Sequence, residues 1–247
     1  MSVPPHPEWI VPDWPAPRRV RALVTTRAGG VSTGAYASLN LGARVGDDPA
    51  SVTRNRELLR RCLPAEPRWL KQVHGTAVID PARTAAETEA DGAVTREGEV
   101  ICAALTADCL PVLLCERAGA VVGIAHAGWR GLAAGVVENT IRAMRVPPSD
   151  LIAYIGPGIG PRAYEVGADV RDAFVRSDPG ATAAFVSRDG AKYEADLYAL
   201  ARRRLRAQGV EAIFGGGFCT SSDPRFFSFR RDRITGRMAS LIWLEKT

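Results

Sequence analysis

Apolar residues recur along this chain in short runs separated by polar corners, and no run reaches the length of a membrane span. Residues 1–19 are Pro-rich and read as an irregular N-terminal arm; 20–247 read as one folded domain. A strand is predicted over Arg21–Thr25, followed by the Gly-rich loop RAGGVSTGAYASLNLG. Asp47, Asp48 and Pro49 give a helix start, with a cap and a proline in the first turn. Val52, Leu59 and Leu63 would face inward, and Pro64 ends the pattern. The segment WLKQVHGTAVI alternates and predicts a strand pair bent at Gly75. EVICAAL and LPVLLCE are apolar runs on either side of the corner TADC, and VVGIAH is a third run. Gly128–Gly131 opens a predicted helix over LAAGVVENTIRAM, which Pro147 ends. LIAYIG predicts a strand, and helices follow on Val170, Phe174 and Val175 and on DLYALARRRLRAQG, with Gly209 as its C′ residue. EAIFGGG, RFFSFRRD and MASLIWL predict strands and turns. Strands and helices mix without strict βαβ alternation. That pattern implies a single α/β domain with mixed or stacked sheets and helices outside.

Composition changes this picture little. With 46% hydrophobic and 24% charged residues, the chain can build a large core. The net charge of +5 comes from scattered arginines, which suits an anionic small molecule such as phosphate and gives no sign of nucleic acid. The run Arg202, Arg203, Arg204, Arg206 reads as a solvated helix face. Five cysteines fit neither a disulfide framework nor a zinc finger, and the Pro-rich start lacks the features of a signal peptide. A reducing cytoplasm, with no membrane partner, is the expectation. GPGIGP at 156–161 has the wrong spacing for a dinucleotide fingerprint, and no Walker-type loop is present.

Candidate chemistry gathers at strand ends. His74 directly precedes Gly75, His126 lies two residues before Gly128, and Cys109 lies in the polar corner after Asp108. Two imidazoles and a thiolate suit Zn²⁺ and leave a fourth position open. The same residues also allow a Cys109–His126 nucleophile–base dyad, and spacing does not separate the two readings. Cys102 and Cys115 sit in apolar runs and Cys62 on a helix, positions that suit the core. HAGWRGL joins a strand to a helix start, where free amides and Arg130 could bind an anion. Arg27 is a second anion candidate, and Asp108 could act as acid–base group or support a ligand histidine.

Long motifs carry a resemblance at these positions: TTRAGGVSTGAYASLNLG, WLKQVHGT, ADGAVT, LTADCLPVLL, AHAGWRGL, IGPGIGPRAYEVG and FFSFRRDRITGRMASLIWL. In order, they resemble the laccase-domain or YfiH-type family, also called the polyphenol-oxidase or peptidoglycan-editing-factor family. The resemblance implies a layered α/β/β/α sandwich over 20–247 and metal ligands at His74, Cys109 and His126. It implies zinc, with copper the less favoured metal, and phosphorolysis of adenosine, inosine or guanosine to base and ribose 1-phosphate. Deamination of adenosine is implied as well, with zinc activating water for attack at C6. Some members are described as copper-dependent polyphenol oxidases, and others are linked to amidase-type editing of peptidoglycan precursors. Under this reading Cys109, Asp108 and Arg130 are catalytic, and Arg27 and Asn40 face the substrate from the first loop. Family histidine and cysteine positions are replaced here by Arg44, Gly158 and Ala163. Those replacements weaken a multi-copper oxidase reading, which needs more ligands than three histidines supply.

Overall fold

The computed structural model describes residues 4–246; the first three residues of the arm and Thr247 lie outside them. Among the described residues are twelve strands: β1 (Val20–Val24), β2 (Val78–Ile79), β3 (Gly92–Thr95), β4 (Cys102–Thr106), β5 (Leu110–Glu116) and β6 (Val122–Ala127) in the first half. The second half holds β7 (Leu151–Ile155), β8 (Glu165–Gly167), β9 (Phe185–Arg188), β10 (Lys192–Ala195), β11 (Ala212–Gly215) and β12 (Met238–Leu244). The α-helices are α1 (Pro49–Arg60), α2 (Trp129–Ala134), α3 (Val136–Met144), α4 (Ala168–Val175), α5 (Leu197–Ala207) and α6 (Phe229–Asp232). A mixed sheet runs β11-β7-β5-β6-β3-β2, an antiparallel sheet runs β1-β12-β4, and a small one runs β8-β10-β9.

Side chains alternate across each strand, and this alternation builds the layers. In β5, Leu110, Val112 and Leu114 join the core beneath the helices, together with Leu132, Val137, Ile141 and Leu205. The intervening Leu113 and Cys115 turn to the opposite face and meet Cys102 and Ala104 of β4 and Ile242 and Leu244 of β12. Strand β12 repeats the device. Its residues Leu241 and Trp243 face outward onto Leu59 of α1 and Leu39 and Leu41 of the first loop. The order is therefore helices, six-stranded sheet, three-stranded sheet, helix: the α/β/β/α sandwich in a single domain. Strands buried on both faces explain why the runs in β5, β6 and β12 are continuously apolar.

Three predicted elements differ. Asp48 caps α1 as expected, its carboxylate accepting from Ala50 and Ser51 amides. The helix predicted over LAAGVVENTIRAM, however, is two helices, because Gly135 adopts φ 103° and ends α2 before α3 begins. The strand pair predicted over WLKQVHGTAVI shrinks to Val78–Ile79, and the preceding stretch makes only single bridges at Arg68 and Lys71. RFFSFRRD holds no strand; Phe226 and Phe227 are buried anchors, and Ser228 caps α6 with its hydroxyl accepting from Arg231 N–H. Described arm residues are attached to the body: Trp9 Nε1 donates to Ala28 O at 3.0 Å, and Ile10 bridges Val24.

Candidate active site and metal centre

Sheet register brings the central pair together. Strands β5 and β6 are antiparallel, with Pro111 opposite His126, so Cys109, two residues before Pro111, lies beside the end of β6. His74 comes from the bend that replaces the predicted strand. One donor atom from each of His74, Cys109 and His126 can be chosen so that all lie within 4.8 Å of one another. Cys109 Sγ is 3.7 Å from His74 Nε2. Gly128 makes this convergence sterically possible: a Cβ there would sit 2.7 Å from His74 Cδ2 and 2.9 Å from Cys109 Sγ.

Asp91, which the sequence reading did not single out, organises the site from beneath. It is 1% exposed and accepts four hydrogen bonds. Its Oδ2 takes Val73 N–H (3.1 Å) and Gly75 N–H (2.7 Å); its Oδ1 takes His74 N–H (3.0 Å) and His126 Nδ1 (2.7 Å). His126 N–H also donates to Asp91 O at 2.7 Å. One carboxylate thus shapes the bend around His74, which holds φ 59°, and orients the His126 ring. A proton on Nδ1 toward Asp91 leaves the His126 Nε2 lone pair for a ligand. The available signal was the Asp-Gly pair opening β3, next to the β6 residue it supports.

Electrostatics agree with a thiolate-bearing donor set. Burial opposes ionisation of Cys109, but the charge of His126 and hydrogen bonds from His126 and His74 outweigh it and bring the thiol down to about 6. Burial also opposes protonation of His126, and here the Cys109 thiolate and Asp91 win, raising the imidazole to about 9. Asp91 is held below the usual carboxylate range: burial pushes it up, and the bonds from His126 and Gly75 N–H overcome that. Without metal, the pair is therefore thiolate and imidazolium. With a cation in place, the thiolate and a neutral imidazole are the forms that ligate. The donor set fits a borderline-soft divalent ion.

A cavity of about 530 Å³ opens above these donors. Trp129, Tyr164 and Phe229 give it aromatic walls, and Arg44, Arg56, Arg130, Arg230 and Arg237 give it positive charge against Glu87 and Asp108. Burial, with Cys109 nearby, raises the Tyr164 phenol and keeps it a hydrogen-bond donor.

The family model of the multi-copper polyphenol oxidoreductase laccases matches residues 21–245. The chain belongs to this family. Among its laccase-family relatives, it is 54% identical over 241 residues to the protein named purine nucleoside phosphorylase PA4543 of Pseudomonas aeruginosa, covering 96% of this chain and 98% of that one. It is 52% identical over 239 residues to purine nucleoside phosphorylase YfiH of Escherichia coli, covering 95% and 98%. The crystal structure of Neisseria meningitidis protein NMB0706 aligns with a TM-score of 0.93 at 53% identity, covering 96% of this chain and 99% of that one. YlmD from Geobacillus stearothermophilus aligns with a TM-score of 0.89 at 33% identity over the full length of both chains.

Not every expected residue of this laccase-family chain reaches the cavity. Asp108 lines it, at φ 90°, with Oδ1 accepting from Thr220 Oγ1 and Oδ2 from Arg230 N–H, both at 2.6 Å. Arg130 also lines it, stacked 4.5 Å from the Trp129 ring, with no hydrogen-bonded partner among the described residues. The helix behind Arg130 is only six residues long, so the expected dipole contribution at its start is small and the side chain carries the charge. Arg27 does not line the cavity; its Nε donates to Ala37 O at 2.7 Å and its guanidinium lies over Phe227. Asn40 is fully buried, and its amide is consumed within the first loop and by Arg237 N–H. Arg202, Arg203 and Arg204 are not simply solvated: they bond Gly215 O, Asp178 and Glu138. No described helix is long and apolar enough to cross a membrane.

Proposed function

We propose that this protein is a zinc-dependent purine nucleoside phosphorylase with adenosine deaminase activity. The observation that carries the reading is the convergence of His74, Cys109 and His126 on the floor of an arginine-rich, aromatic-walled cavity. The names of the relatives at 54% and 52% identity support the phosphorolytic part. In the first reaction, phosphate and a purine nucleoside give free base and ribose 1-phosphate. In the second, adenosine and water give inosine and ammonia.

His74, Cys109 and His126 would hold the ion, which supplies Lewis acidity to the reacting oxygen. Arg130 neutralises incoming phosphate, its fork having no competing partner among the described residues. Asp108 handles the proton: each of its oxygens accepts one hydrogen bond and retains a second lone pair toward a leaving or attacking group. Trp129, Tyr164 and Phe229 offer faces on which a purine stacks. Small purine nucleosides and phosphate are the partners this cavity suits, rather than nucleic acid or membrane. Copper is the less suitable ion, since the described residues gather one three-donor group rather than the several sites of a multi-copper oxidase.

The test is product analysis. Zinc-loaded enzyme with inosine should release hypoxanthine only with phosphate, yielding ribose 1-phosphate; adenosine should also yield inosine. Cys109→Ala should abolish both activities, while Cys102→Ala and Cys115→Ala should retain them. Release of free ribose at the same rate without phosphate would make the enzyme a hydrolase. A second reading rests on the thiolate–imidazolium pair of the metal-free site: Cys109 as nucleophile of a cell-wall precursor amidase. Elemental analysis separates the two, since about one zinc per chain is expected only under the first.

A further inference from the structure

We propose that Arg237 is the fixed wall of an anion subsite that holds the phosphate co-substrate, an inference that rests on the phosphorolytic reading above. Arg237 lies just before β12 and lines the same cavity as His74, Cys109 and His126. Its Nη1 donates to Thr235 O and Gly236 O, each at 3.0 Å. Its Nε and Nη2 have no protein acceptor, and no carboxylate forms an ion pair with it, among the described residues. Burial pulls its pKa down, and the negative charges of Cys109 and Asp108 offset this only in part. A guanidinium does not give up its proton in a protein, so the site keeps a desolvated cation short of negative charge. Two free donors on one planar fork match two oxygens of a tetrahedral oxyanion.

The other cavity arginines differ. Arg44 is paired with Glu87 at 2.6 Å. Arg56 donates to Leu41 O and stacks on Trp69, and Arg230 donates to Glu165 O and stacks on Tyr164. Arg130 is free but exposed, on a six-residue helix. Arg237 alone of these has its backbone amide held by the buried Asn40 side chain of the first loop. The buried Asn40 accepts Arg237 N–H and Gly42 N–H through Oδ1, both at 2.9 Å, and donates to Gly42 O and Asp47 Oδ2. A Cβ on Gly42 would lie 2.8 Å from Arg237 Cγ, so the loop leaves room for the arginine stem. This gives Asn40 a positioning role: it acts on the substrate through Arg237.

The test titrates inorganic phosphate calorimetrically into zinc-loaded enzyme in a phosphate-free buffer, with phosphorolysis of inosine measured alongside. Arg237→Gln is expected to weaken phosphate binding about 10- to 100-fold, the range for losing hydrogen bonds from a charged donor. Zinc content and the KM for inosine should stay near wild type. Arg237→Lys, which keeps charge but not the fork, should lose less, roughly 3- to 10-fold; it carries the test alone if the Gln variant does not fold. Unchanged phosphate affinity in the variants, or no phosphate binding by the wild type, would overturn the subsite. If the variants lose phosphate but the wild type splits no purine nucleoside, the subsite stands and the phosphorolytic reading falls. If the wild type is phosphate-dependent and the variants keep its KM for phosphate, the reading stands and Arg237 is excluded.

Discussion

Replacing Asp91 with asparagine tests how the candidate metal centre is held, because the change is nearly isosteric and falls on a carboxylate that accepts four hydrogen bonds. Each oxygen serves two donors: Oδ1 takes His74 N–H and His126 Nδ1, and Oδ2 takes Val73 and Gly75 N–H. Whichever oxygen becomes the amide NH2, two donors then face a donor. An orphaned buried donor costs about 1–3 kcal/mol, and water reaches Val73 and His74, so a loss of roughly 2–4 kcal/mol of folding stability is expected for the pair. If the amide faces His126, the imidazole must move its proton to Nε2 and can no longer offer that lone pair to a metal. Loss of such a supporting partner lowers metal affinity by about 10- to 100-fold. Denaturant unfolding of the metal-free protein measures the first effect, and zinc competition against a chromophoric chelator measures the second. Cys115→Ala is the control, expected to lower stability by about 1 kcal/mol with zinc affinity unchanged. Should Asp91→Asn lower stability while zinc affinity stays within twofold of wild type, Asp91 would be a loop brace and the tautomer argument would fail.

Two further outcomes are specific. Gly128→Ala should expel the metal while leaving the fold largely intact, since Gly128 has an ordinary φ of −66° and its methyl would strike only His74 and Cys109; full zinc occupancy by elemental analysis would refute the steric argument. In metal-free protein, iodoacetamide should alkylate Cys109 in preference to the buried Cys102 and Cys115: the Cys109 rate should fall as pH drops below about 6 and level off above it, with zinc protecting the thiol. Cys115, pushed up to about 12 by burial, should remain unmodified, and equal labelling of the two would contradict the ionised pair.

Sheet layers and helix starts were legible because their signals are local. Continuous apolar runs marked strands covered on both faces, and Asp48-Pro49 marked the start of α1. The stretch before β2 misled for a physical reason: its apolar and polar residues read as a strand, but the amides of Val73, His74 and Gly75 are satisfied by one carboxylate rather than by a neighbouring strand. Phe226 and Phe227 misled similarly, as buried anchors of a turn. The grouping of His74, Cys109 and His126 was recognisable by residue type and motif. Asp91 and Arg237 were not, because their importance lies in contacts between segments far apart in sequence, such as Asn40 with Arg237. Arg27 and Asn40 were placed at the substrate on the strength of a glycine-rich loop, whereas that loop turns those side chains inward and presents Gly42–Val45 instead.

The three donors of the candidate metal centre are unequally sheltered: His126 is buried, Cys109 intermediate and His74 exposed. That gradient sets an order for metal exchange. An ion bound there would lose the ligand on the solvent-facing bend first and would then be held by Cys109 and His126 at the end of the sheet. A competing chelator would then occupy the vacated side while Cys109 and His126 still held the ion, so removal would proceed by stepwise ligand substitution. The sheet register that joins Cys109 to His126 would not have to break, and the release rate would be decoupled from the rate of global unfolding.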